Sequence, residues 1–294
     1  MKNFITIGTF DGVHRGHARL FDALKKEAAA AGMEPCIFYF PLPPKTLIAD
    51  KKEMTVLTLP DEKEELLRVQ GVKKIFPLKF SLCRNFASEE FLDSLISQYN
   101  MGGLLAGKDF AMGKDRAGHI DAVRKICAAR GVKFAEMDFF NDDGHKISSS
   151  IIRQNILRGN IDAANALLGY KYFVEGKVIK GEQLGRKLGF PTANLDVGIY
   201  KALPQGIFAV EVSLGKEKFK GVTNIGFRPT VNPVHADVPL VEAHILNFSR
   251  DIYGENLKIN FVSKIRAEKK FDGLEELKAA IRLDAAQADI LVNI

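Results

Sequence analysis

The stretch "GTFDGVHRGH" (residues 8–17) sets His14 and His17 three residues apart, directly after an apolar run. Gly8, Phe10, Asp11, Gly12 and Gly16 crowd around them. With the run over 4–8 as a strand and a helix starting near residue 14, Asp11 and Gly12 fall in the strand-to-helix turn, and both imidazoles face one side of the first helical turn. A helix start offers unpaired N–H groups and the positive end of its dipole, which suits phosphate. Glycines let a bulky anion approach the backbone. Two histidines there could hydrogen-bond the phosphates of a nucleotide and stabilise charge building on a pentavalent phosphorus without a covalent step. H-x-x-H alone more often marks packing or surface histidines, and a zinc site would lack a third ligand nearby.

Four further stretches carry comparable chemistry. In "KISSSIIRQNILRGN" (146–160), Ser148 or Ser149 can cap a helix, and Arg153 one turn on can reach the same anion. In "GRKLGFPTANL" (185–195), Gly185 and Gly189 bound a loop whose amides, with Arg186 and Lys187, could hold phosphate. Pro191 then leads to Thr192 and Asn194, hard oxygen ligands suited to Mg2+. No Walker lysine stands in frame, so a P-loop kinase is excluded, and no Rossmann fingerprint occurs. Downstream, "GVTNIGFRPT" (221–230) supplies Asn224 and Arg228, and "VEAHILNFSRDIYG" (241–254) places Glu242 in an alternating strand. A carboxylate there could accept a hydroxyl proton or simply face solvent.

The elements that must position these groups change character along the chain. To about residue 168, short apolar runs (4–8, 36–40, 74–78, 103–107, 132–137) alternate with helical patterns over 15–31, 61–70, 88–99 and 117–130. That rhythm implies a doubly wound parallel sheet with ligands at the carboxyl ends of its strands. Beyond it come β-type runs at 173–180, 206–214, 218–226, 240–248 and 257–265, closed by one helix over about 272–290. Those runs suggest a small β-barrel capped by the helix. Two domains follow, 1–168 and 169–294.

Taken together, the motifs carry a resemblance. "GTFDGVHRGHARL" resembles the HxGH signature of the nucleotidyltransferase superfamily in the form found in bacterial FAD synthetases. "GKDFAMGKDRAG" (107–118) is similar to that family's flavin-contacting loop, which implies flavin roles for Asp109 and Phe110, with Ala111 and Met112 where the family usually has Arg and Phe. "PLPP" (41–44) replaces the family's "PHP", and "ISSS" resembles its phosphate-binding "ISSTxxR". "GFPTANL", "GVTNIGFRPT" and "EAHI" resemble riboflavin kinase, implying that Glu242 is general base on the riboflavin 5′-hydroxyl and that Asn224 and Arg228 contact flavin. The resemblance implies an α/β nucleotidyltransferase-like sheet followed by a riboflavin kinase-like barrel with a C-terminal helix. It also implies riboflavin, FMN and ATP as small-molecule partners, Mg2+ as cofactor, and FMN and then FAD as products. One rival reading is a riboflavin kinase whose N-terminal module is regulatory or catalytically weak.

Composition agrees with anionic small molecules. The 294 residues carry a net charge of +6, which tilts toward anions in general. A nucleic-acid-binding protein is the second rival, but no recognition helix, RNP aromatics or basic cluster is visible. Three scattered cysteines fit a reducing cytoplasm and no disulfide framework. The opening "MKNFITIGTF" lacks a signal-peptide profile and no apolar run is long enough to span a membrane, so no membrane partner is expected. The oligomeric state is not legible.

Overall fold

The apolar run at the N-terminus forms β1 (Asn3–Gly8), buried along nearly its whole length. A computed structural model describes residues 1–48, 55–114, 118–138, 141–142, 145–226 and 240–294. β1 is the middle of a five-stranded parallel sheet with β2 (Glu34–Tyr39), β3 (Lys74–Pro77), β4 (Met101–Gly107) and β5 (Lys133–Met137), in the order β3-β2-β1-β4-β5. Successive side chains serve opposite faces. Ile5, Ile7, Cys36 and Phe38 join one core cluster, whereas Phe4, Ile37 and Tyr39 join the other. Helix α1 (Arg15–Ala30) buries Phe21, Leu24 and Ala28 and ends before Gly32, whose φ of 64° is available to glycine without a Cβ penalty. α2 (Pro60–Arg68) starts on a proline, and Glu62 accepts a hydrogen bond from the Leu59 N–H at 2.8 Å. α3 (Ser88–Tyr99) and α4 (Ile120–Ala129) complete the first layer set.

The helix expected over 117–130 is shorter at its start, because Gly118–His119 pairs with Ala111–Met112 as a small hairpin. Residue 117 lies outside the described residues.

The second unit is a closed antiparallel barrel. Its strands are β6 (Phe173–Ile179), β7 (Ala193–Asp196), β8 (Gly206–Leu214), β9 (Glu217–Gly226), β10 (Leu240–Ile245) and β11 (Asn256–Arg266), ordered β6-β7-β10-β9-β8-β11 and closed onto β6. Five of these coincide with the β-type runs. The sixth, β7, begins within the last three residues of the stretch expected to be a loop, "GRKLGFPTANL", and extends one residue past it. Two helices precede the barrel, α5 (Ser149–Arg158) and α6 (Ile161–Leu168). In α6, Asn165 donates to the Phe261 carbonyl at 3.0 Å and accepts from the Tyr172 N–H at 2.7 Å. The C-terminal helix α7 (Leu274–Leu291) packs Ala288, with the capping residue Val292, beside Ala209, and Asp284 holds Arg266 of β11 by a forked ion pair at 2.7–2.9 Å.

By backbone contacts the chain divides into Met1–Ser149 and Ser150–Ile294. Helices α5 and α6 therefore group almost wholly with the barrel. Among the described residues, no helix is long and apolar enough to cross a membrane.

Candidate active sites

In an open α/β sheet the ligand crevice lies where strand order reverses, outside the carboxyl ends of the strands. Here that point is between β1 and β4, and the motif residues leave the sheet there. The turn after β1 is strained: Phe10 and Val13 have φ of 44° and 35°, beside Gly12 at 81°. Two non-glycine residues in that region cost about 1–3 kcal/mol each. The Asp11 carboxylate offsets this by accepting from the Leu57 N–H (2.9 Å), the Thr58 N–H (3.1 Å) and the Thr58 hydroxyl (3.3 Å). Gly12 N–H donates to the same hydroxyl oxygen at 3.1 Å. Asp11 thus secures the turn through residues 57–58, a partner no local pattern could reveal.

This turn delivers His14 to the N-cap of α1 and His17 to its first turn. The two rings stack with centroids 3.6 Å apart and planes 16° from parallel. Phe10 meets His17 edge-on at 5.2 Å. The Nδ1 atoms of both histidines are buried without a hydrogen-bond partner. Burial pushes His14 down to about 4, with Asp11 pulling the other way. His17, part of whose side chain stays accessible, is driven well below the usual histidine range by burial first, then by His14 and Lys63. Two neutral imidazoles with unsatisfied nitrogens result, each a buried polar atom that ordinarily costs about 1–3 kcal/mol. A ligand that hydrogen-bonds them removes that cost.

The other first-site residues divide. Ser149 opens α5, but its hydroxyl donates to the Asp11 carbonyl at 2.8 Å and so braces the histidine turn. Ser148 precedes it, and Arg153 lies one turn into α5. Asp109 is exposed in the turn after β4, where the Phe110 N–H donates to the Gly107 carbonyl at 2.9 Å and the Phe110 ring packs on the core. Because β4 runs parallel beside β1, Asp109 and the histidines leave the same end of the sheet. Any side chain at Gly8 would run into the Phe10 ring, and a Cβ at Gly16 would lie 3.2 Å from the His14 ring. Lys63, fully buried in α2, went unnoticed because "DEKEELLR" reads as a solvated face.

In the barrel, register assembles the second site. Asn194 of β7 stands opposite Glu242 of β10, which stands opposite Asn224 of β9. Directly opposed residues share a face. That face is the outer one, because Leu195, Val241, Ala243, Thr223 and Ile225 alternate with them and are buried. The Oδ1 atoms of Asn194 and Asn224 are buried with no hydrogen-bond partner. Gly181 lies so close to Asn194 that any side chain there would collide with its amide. His244 donates its Nδ1–H to the Pro191 carbonyl at 2.8 Å and meets Phe190 edge-on at 5.7 Å, fastening the glycine-rich stretch to β10.

A cavity of about 390 Å³ opens beside this row, lined by Gly185, Thr192, Asn224, Glu242, Arg266 and Phe271 among others. Arg186 and Lys187 belong to a four-residue helical turn, and they and Gly189 are exposed and do not line the cavity. Arg228 lies outside the described residues.

Comparison with known proteins follows the same division. The family model described as FAD synthetase matches residues 1–151, and the one described as riboflavin kinase matches residues 168–292. A bifunctional riboflavin kinase/FMN adenylyltransferase of Bacillus subtilis (strain 168) is 33% identical, covering 98% of this chain and 92% of its own. One of the same description from Escherichia coli (strain K12) is 35% identical over 97% of this chain and 91% of its own. A crystal structure from Streptococcus pneumoniae, described as a macrolide-efflux protein, superposes with a TM-score of 0.87 at 28% identity, covering 98% of this chain and 94% of that one. Sheet, barrel and motif residues all lie within stretches that these matches span, and the chain belongs to the bifunctional riboflavin kinase/FMN adenylyltransferase family.

Proposed function

We propose that the chain converts riboflavin and ATP to FMN and ADP in the barrel, and FMN and ATP to FAD and pyrophosphate at the sheet. The kinase activity is assigned to 169–294, supported by α5 and α6, which group with the barrel, and the adenylyltransferase activity to the sheet within 1–168. The observation that carries the second activity is the stacked pair of neutral histidines, with buried unpaired nitrogens, at the sheet's reversal point.

In the barrel, Glu242 takes the riboflavin 5′-hydroxyl proton as that oxygen bonds to the γ-phosphorus of ATP and ADP leaves. Asn224, beside it, hydrogen-bonds the flavin, and Arg228 belongs to the same role. Thr192 and Asn194 fit Mg2+, because a buried amide oxygen without a donor is a ready hard ligand. The ion, when bound, neutralises phosphate charge during transfer. At the sheet, the FMN phosphate oxygen attacks the α-phosphorus of ATP. His14 and His17 donate to the phosphate oxygens as pyrophosphate departs. Gly8, Phe10, Gly12 and Gly16 shape the backbone approach, Asp11 and Ser149 hold the turn, Ser148 and Arg153 bind phosphate, and Asp109 with Phe110 faces flavin. Gly185, Arg186, Lys187, Gly189 and Pro191 form the ATP-side loop of the kinase. A cytoplasmic setting, where ATP and riboflavin are available, fits this chemistry.

The test is chromatography of products from riboflavin, ATP and Mg2+. FMN followed by FAD is expected. FMN alone would support the kinase-only reading, and no turnover would overturn both.

A further inference from the structure

Lys63 takes no part in the steps above, yet its setting is unusual. It sits in α2 with no accessible surface. Its Nζ donates to the Phe40 carbonyl at 2.9 Å and to the Pro41 carbonyl at 2.8 Å, the first two residues beyond β2. β2 is the parallel neighbour of β1, so residues 40–41 leave the sheet at the same end as the histidine turn. Just before α2, the backbone of Leu57 and Thr58 grips Asp11. One short stretch, 57–63, therefore fastens two neighbouring strand exits.

A buried ammonium is costly, and a methionine would fill similar space without that cost. Retaining a cation calls for something on which its charge acts. Burial pushes the pKa of Lys63 down to about 8, against the pull of Asp11 from the β1 exit, which favours the charged lysine. On α1, the same charge repels a proton on His17, the ring stacked on His14. From the β2 exit only carbonyl oxygens face it.

We propose that Lys63 is a positioning residue for adenylyl transfer, clamping the 40–41 turn to α2 directly after the 57–58 backbone that grips Asp11, and supplying a buried positive charge at the strand ends that carry the histidine turn. This inference rests on the adenylyltransferase reading of the sheet. The charge serves two ends: it adds to burial and His14 in disfavouring a proton on His17, and it favours an anionic transition state at the strand ends.

The experiment uses full-length chain, with FMN-to-FAD rates followed across pH for the unaltered protein, Lys63→Met and Lys63→Arg. Riboflavin phosphorylation by the same preparations measures the amount of active protein. Lys63→Met should lower kcat for FAD formation by about 30-fold or more while moving KM for FMN by less than about 3-fold, the pattern of lost positioning. Lys63→Arg, which keeps charge and donors, should recover the rate to within about 5-fold. The unaltered protein should lose rate above pH about 8 as Lys63 discharges, and the Arg variant should not. If Lys63→Met fails to fold, Lys63→Gln is read in its place. Unchanged rate and profile in a stable Met or Gln variant would overturn the inference. So would equal losses in the Arg variant and in the Met or Gln variant alongside equal falls in Tm, the behaviour of a plain core residue. If the unaltered chain makes no FAD from FMN, the adenylyltransferase reading itself fails and this inference falls with it.

Discussion

At the scale of single residues, the histidine pair separates binding from packing. If His17 stabilises the transition state, His17→Ala should cut the FMN-to-FAD rate by about 10²–10³-fold, as removal of one oxyanion-type donor does, with Tm nearly unchanged. A destabilised variant losing FMN binding in proportion would mark a packing residue. Burial also ties these rings to stability. His14 is held at about 4 when folded, against an ordinary 6.5, so the unfolded chain takes up the proton first as pH falls. The stabilisation is complete above pH 6.5 and is lost between 6.5 and about 4, on the order of 3 kcal/mol. Urea titrations across that window should show His14→Gln flattening the slope, and an unaltered slope would mean His14 titrates normally in the folded chain. H-x-x-H spacing made the pair visible in sequence. Lys63 and Thr58 stayed hidden because their partners, Phe40, Pro41 and Asp11, are more than 20 positions away.

At the scale of elements, pairing register creates the row proposed as the kinase site. Asn194, Glu242 and Asn224 come from three strands and meet only because β7 and β9 flank β10 in matching register. Glu242→Gln preserves size and hydrogen bonding while removing the base, so riboflavin phosphorylation should drop by about 10²-fold or more. FAD formation from supplied FMN should persist in that variant, and unchanged phosphorylation would leave Glu242 a strand residue. Asn194→Ala should raise the Mg2+ concentration giving half-maximal kinase rate by about 10-fold or more, measured at saturating ATP and riboflavin. An unaltered Mg2+ dependence would remove Asn194 from the ion. β7 escaped the sequence reading because four residues, with only Ala193 and Leu195 facing inward, are too few to show period-2 alternation against a glycine- and proline-rich background.

At the scale of the whole molecule, the two units predict separable activities with an adjusted boundary. A fragment of residues 170–294 holds the complete barrel, yet it lacks α6, whose Ile161, Ala164 and Leu168 are buried and whose Asn165 bridges Tyr172 and Phe261. A fragment of 150–294 should therefore melt several degrees above 170–294, while both phosphorylate riboflavin when folded. Equal melting temperatures would show that α5 and α6 add nothing to the barrel. The sequence by itself determined the two-part order, the alternation that demands a parallel sheet, most barrel strands and which side chains are candidates for chemistry, because periodicity, capping and motif spacing are local properties of the chain. Only the tertiary structure decided that Asp11 braces a strained turn and that Lys63 is buried. It alone brought Asn194, Glu242 and Asn224 into one row, and it gave α6 to the barrel. Each of these depends on which distant segment is packed alongside, and a linear pattern carries no record of burial or register between segments far apart in the chain.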